Sequence, residues 1–106
     1  MIKISFLVTK NGYLTGYLIK GHSMFAESGS DIVCAAVSSA AYMVSNTITD
    51  IIKADASISL DDGMMSVNIN SNDIFRCKDI LEGFKLHLIS LEEQYPENIK
   101  VNYTEV

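Results

Sequence analysis

The spacing of apolar residues changes period several times along this chain, and that alternation restricts the fold more than any other feature. Ile2, Ile4, Phe6 and Val8 occupy every second position, with Lys3 and Ser5 between them. A period of two is that of an extended strand with one buried face. Asn11-Gly12 follows, and both residue types tolerate positive φ. The pair therefore predicts a two-residue hairpin turn, with Tyr13 to Lys20 as the returning antiparallel strand. Beyond Gly21 the period lengthens. Val33, Val37, Ala40, Ala41, Val44, Ile48, Ile51 and Ile52 recur at three- and four-residue steps, which marks one apolar stripe on a helix running to about Lys53. Ser30 or Asp31 is its expected cap. Alternation then returns. Ser57–Leu60 and Met64–Asn70 flank Asp61-Asp62-Gly63, a second hairpin with its turn at Asp-Gly. A second helix is expected after a cap at Ser71 or Asn72, burying Ile74, Cys77, Leu81, Phe84, Leu88, Leu91 and Tyr95. Pro96 ends it, because proline cannot continue the hydrogen-bond ladder. Ile99, Val101 and Tyr103 alternate once more as a final strand.

The order ββαββαβ predicts an α+β two-layer sandwich, with a mostly antiparallel sheet and two helices on one face. Without an internal repeat or linker, residues 1–106 read as a single domain. An apolar fraction of 48% with 20% charged residues is that of an ordinary globular protein. The net charge of −5 argues against nucleic acid as a direct partner, since phosphate contacts need clustered Lys and Arg. It suits a basic protein or peptide instead. No apolar run approaches the ~20 residues of a membrane span. The opening Met-Ile-Lys-Ile-Ser-Phe-Leu-Val lacks the continuous apolar stretch of a signal peptide. Two cysteines do not make a disulfide framework and fit a reducing compartment. A cytoplasmic location is expected.

The chemistry-bearing stretch is Gly21 to Ser39. His22 stands where the second strand ends, and Cys34 stands near the start of the long helix. A cysteine attacks a carbonyl as the thiolate, which the unpaired N–H groups of a helix start favour. An imidazole nearby can take the thiol proton and later protonate the leaving amine. Asp31 could orient His22 or cap the helix, and Ser38 follows Cys34 by one helical turn. The alternative is an inert Cys34 in an alanine-rich helix, since free cysteine is often a small buried hydrophobe. Spacing alone leaves both open. Cys77 falls on the apolar stripe of the second helix and reads as structural, while His87 reads as a histidine at the edge of the core. No CxxC or HxxxH spacing is present, so no metal and no cofactor is expected.

The run Gly21-His22, then Gly29-Ser30-Asp31-Ile32-Val33-Cys34-Ala35-Ala36-Val37-Ser38, resembles the signature of the ribosomal-processing cysteine proteases called Prp. The similarity extends to the opening Met-Ile-Lys-Ile strand, the Asn-Gly hairpin, the long helix after the cysteine and the overall length. It implies a bacterial endopeptidase that removes a short N-terminal extension from a large-subunit ribosomal protein precursor. It also implies Cys34 as nucleophile, His22 as its base, Gly21, Asp31 and Ser38 as supporting positions, and a homodimer. Ser23 departs from the alanine common in the family. The Ser23–Ser30 segment could cover the site, with Gly21 and Gly29 as hinges. Two rival readings use the same residues. One is a thiol redox protein in which Cys34 and Cys77 meet; the other is a non-enzymatic ribosome-assembly domain.

Overall fold

One five-stranded sheet, in the order β3-β4-β2-β1-β5, carries the whole architecture. The computed structural model describes residues 1–21 and 30–106, and for Ser30 and Asp31 only the backbone. Its elements are β1 (Ile2–Val8), β2 (Leu14–Lys20), α1 (Ser30–Asn46), β3 (Ala56–Asp61), β4 (Met64–Ile69), α2 (Lys78–Gln94) and β5 (Ile99–Glu105). This is the order that the periodicity predicts. Three of the four strand pairings are antiparallel; β5 alone runs parallel to its neighbour, from Ile2↔Ile99 to Val8↔Glu105.

The period-two residues point to one face. Ile2, Ile4 and Phe6 of β1, Tyr17 and Ile19 of β2, and Met65, Val67 and Ile69 of β4 are all buried. They pack with Val33, Val37, Ala41 and Val44 of α1 and Leu81, Phe84 and Leu88 of α2, so both helices cover the same side of the sheet. Each such fully buried aliphatic side chain stabilises the fold by about 1.5–3 kcal/mol through lost water contact. Aromatic rings join the layers at the centre. Phe84 meets Phe6 edge-on at 5.8 Å and Tyr17 at 4.8 Å between centroids. The phenol of Tyr17 donates to the Ala41 carbonyl at 3.0 Å, and burial pushes that hydroxyl's pKa well up. α1 therefore lies over β2.

Three local expectations are corrected. The first turn is not a two-residue turn at Asn11-Gly12. Thr9 N–H bonds Tyr13 O, Gly12 N–H bonds Thr9 O, and only Gly12 (φ 89°) takes the left-handed region, which makes a three-residue loop. The long helix reaches Ile52 as expected, but its last stretch, Thr47–Ile52, is wound as a π-helix. There the Thr47 and Thr49 hydroxyls bond back to the carbonyls of Met43 and Ser45, and such competition loosens the regular ladder. The second helix begins at Lys78 rather than just after Ser71. A short 3-10 turn, Ser71–Asp73, comes first and is capped by Asn70, whose side chain accepts from Asn72 N–H. Ile74 and Cys77 thus precede α2, yet Cys77 is still fully buried.

Residues Ile32–Ile52 qualify the expectation that no stretch is apolar enough to cross a membrane: they form 21 helical residues of mean hydropathy 1.4, sufficient by length and composition. Here the stripe Val33, Val37, Ala41, Val44 and Ile48 is spent on the sheet, which is the behaviour of a core helix.

The direction of α1 follows from its far end. Asn70 N–H bonds Asp55 O, Asp55 N–H bonds the Asp73 carboxylate, and the Arg76 guanidinium donates to Ile52 O and Asp73. The end of the π-helix is thereby fixed beside the Ala56/Ile69 end of the sheet. Counting back from Ala41 over Tyr17, Cys34 lies about 10 Å nearer the helix start. Three strand residues cover the same distance, so Cys34 lies toward the opposite end of the sheet, the end at which Lys20 pairs with Met64.

Candidate active site

The site is built around the start of α1 and the end of β2. The helix begins at Ser30, so Asp31 lies inside its first turn rather than ahead of it, and Cys34 is its fifth residue. The capping expectation at Ser30 or Asp31 rests on side chains that lie outside the described residues. Cys34 is 8% exposed, on the margin of the core. Ser38, one turn later, shares its flank, as does the buried Ser45, whose hydroxyl donates to the Tyr42 carbonyl at 3.2 Å. This flank faces away from α2. On the other flank, Ala36, Ala40 and Met43 line a groove of ≈ 610 Å³ against Ile80, Gly83 and His87 of α2. His87 sits at that groove, at the core edge that the sequence suggests, and on the wrong side of α1 for Cys34.

Gly21 has a specific reason to be glycine. Its φ is +79°, and a Cβ there would collide with the carbonyl oxygen of Met1. Its N–H donates to Gly63 O at 3.1 Å, tying the end of β2 to the turn between β3 and β4. Gly21 and Cys34 thus both lie toward one end of the sheet, with Ser38 one helical turn further along α1. His22, Gly29 and the Ser23–Gly29 part of the suggested cover lie outside the described residues, as does the Asp31 side chain.

The second cysteine is elsewhere. Cys77 adjoins Arg76, which bonds Ile52, and from Cys34 to Asn46 alone, before the π-helical stretch that leads to Ile52, the helix rises about 18 Å. A disulfide needs Cα atoms within about 7 Å. Both thiols are free. Burial, and then the Asp73 carboxylate, push the Cys77 thiol's pKa up, the setting of an inert structural cysteine. The redox reading that pairs the two sulfurs is contradicted by this separation.

Fold and site together define a small α+β protein whose first helix carries a cysteine at the margin of the core. The family model described as Cysteine protease Prp matches residues 1–100, and the chain belongs to that family. It is 32% identical over 108 residues to the ribosomal processing cysteine protease Prp of Staphylococcus aureus strain Mu50, covering 97% of this chain and 99% of that protein. The crystal structure of an essential ribosomal processing protease Prp from S. aureus with a substrate peptide superposes with a TM-score of 0.88 at 29% identity, covering 98% of this chain and 100% of that one. The same S. aureus protease with a covalently linked product peptide gives a TM-score of 0.86 at 30% identity, again over 98% and 100% of the two chains. A Streptococcus mutans protein gives 0.86 at 28% identity, over 100% and 99%. The protein is a cysteine-type peptidase.

Proposed function

We propose that this peptidase is an endopeptidase that removes the N-terminal extension of a large-subunit ribosomal protein precursor, with Cys34 as nucleophile and His22 as general base. The observation that carries the reading is the place of Cys34: the family's motif cysteine, at the end of the sheet that Gly21 closes, far from any second thiol. In the first step His22 takes the Cys34 proton and Sγ bonds the scissile carbonyl carbon, whose oxygen becomes the anion of a tetrahedral intermediate. Collapse breaks the C–N bond, and the imidazolium gives its proton to the leaving amine. Water, deprotonated by the same ring, then cleaves the thioester and restores the thiol. Asp31 and Ser38 are assigned as positioning residues on the strength of the motif. The acidic chain, with a net charge of −5, suits a basic ribosomal protein. A homodimer and a cytoplasmic location belong to the same reading.

The test is incubation with a ribosomal-protein precursor and weighing of the products. One cut near the precursor's N-terminus is expected, absent with Cys34→Ala. Most turnover should be lost with His22→Ala, non-additively with the cysteine change. Cys77→Ala should cleave normally. Cleavage that survives Cys34→Ala would overturn the assignment.

A further inference from the structure

Three lysines line up on the side of the sheet that the helices leave bare. β1 and β2 pair Lys3 with Lys20, and β1 and β5 pair Lys3 with Lys100. Residues paired directly across neighbouring strands share a face. Ile2, Ile19 and Ile99, next to them in the chain, are buried under the helices, so the three exposed lysines stand on the opposite side. The row crosses β2, β1 and β5, and at the usual strand spacing its outer Cα atoms are about 10 Å apart. None of the three lysines takes part in the ion pairs found among the described residues, Arg76–Asp73 and Lys85–Glu82. Like charges directly opposed across strands destabilise a sheet, so the row costs stability until an anion covers it.

The surface beside the row is small and polar. Lys3, Ser5, Leu18, Lys20, Asn102 and Thr104 line a shallow depression of ≈ 300 Å³, in which the Ser5 and Thr104 hydroxyls hydrogen-bond each other at 2.5 Å. Hydroxyls and amides both donate and accept, which suits the 2′-OH and the phosphates of RNA, whereas the carboxylates of an acidic protein only accept. Asp61 ends the row at the β3 edge, separated from Lys20 by Met64, and confines its basic part to three strands. The net charge of −5 argues against nucleic acid for the chain as a whole, but Asp79, Glu82, Glu92 and Glu93 all belong to α2, in the other layer.

We infer that the bare face of the sheet docks single-stranded RNA by its backbone, with Lys20, Lys3 and Lys100 on its phosphates and the side chains of the depression on its ribose. No aromatic residue is among them to stack bases, so the contact is independent of sequence. α1, which carries Cys34, packs on the opposite face, so RNA and a peptide can be held at once.

The experiment measures the anisotropy of a short fluorescein-labelled oligouridine with the full chain, between about 50 and 200 mM salt. Three phosphate contacts predict a slope of log K against log salt of about −2. Lys3→Gln, Lys20→Gln and Lys100→Gln should each take about 0.7 from that slope and weaken binding about eightfold at the low-salt end. Lys78→Gln removes the same charge from exposed α2, and affinity should stay within about twofold. Lys3→Glu sets an opposite charge between two lysines, so it should abolish binding while raising Tm in low salt, which also shows that the variant folds. Absence of binding at low salt overturns the inference, as does a loss with Lys78→Gln equal to that of the three. A lowered Tm for Lys3→Glu would remove the row itself. Displacement of the RNA by polyglutamate of matched charge would give the face to an acidic protein, and equal binding of oligodeoxyuridine would remove RNA as its occupant. A shift from dimer to monomer in Lys3→Gln, with RNA affinity intact, would give it to a second copy.

Discussion

Gly83→Ala should make this protein more stable, an uncommon sign for a substitution in a packed helix. Gly83 is the sixth residue of α2, has no positive φ and is exposed. A Cβ built on it meets nothing within 4 Å, because it would enter the open groove between the helices. The steric cost is therefore nil. The gain is that of glycine against alanine inside a helix, about 0.8–1 kcal/mol, arising mainly from the freedom glycine has in the unfolded chain. For a chain of this size that corresponds to a rise in Tm of about 3–8 °C. Urea unfolding followed by far-UV circular dichroism should show a higher midpoint at an unchanged slope. Peptidase activity should be unaltered, as the groove lies on the flank of α1 opposite Cys34. An unmoved or lowered midpoint, with the slope constant, would refute the reasoning by showing that the groove does not tolerate a methyl group.

The same change at Gly16 should have the opposite sign. A Cβ there would press into the Val67 carbonyl, with Asn68 Cα at 3.1 Å, so Gly16→Ala should cost about 1–3 kcal/mol or prevent folding, as read by the same unfolding curve. Tyr17→Phe should lose about 1 kcal/mol by removing the buried bond to Ala41, with its ring packing intact. Asp73 predicts an acid-sensitive joint. The Asp55 N–H first, and then Arg76, hold its carboxyl below the ordinary value. Its contribution is therefore complete above the unfolded carboxylate range, near pH 4, and fades as pH falls through the lower folded value. Asp73→Asn should flatten the midpoint-versus-pH curve in that acid range; an identical slope in both proteins would count against the assignment.

The elements were legible where a local rule decides them. Ile2, Ile4 and Phe6 give β1 by alternation, Asp62-Gly63 gives the second hairpin, and Pro96 gives the end of α2. Cys77 shows the limit. Its spacing from Leu81 is helical, but Asn70 and Asp73 draw the backbone into a capped 3-10 turn first, and burial is satisfied either way. The strand order was not legible, because the placing of β5 beside β1 depends on pairing across the chain and leaves no local mark. The site divides similarly. Cys34 became a nucleophile candidate through the motif and not through its period, which fits an inert core residue equally well.

The parallel pairing of Ile2 with Ile99 also sets how this protein comes together in time. β1 and β2 can meet through a short loop, and so can β3 and β4, on the microsecond scale of hairpins. β5 can dock only by closing a loop that holds nearly the whole chain, α1 and α2 included, and loop closure delays the contacts that reward it. The last ordering event is therefore expected at the β1–β5 seam, at the side of the sheet remote from β3. The helix that carries Cys34 can be in place while the far edge of the sheet is still searching for its partner.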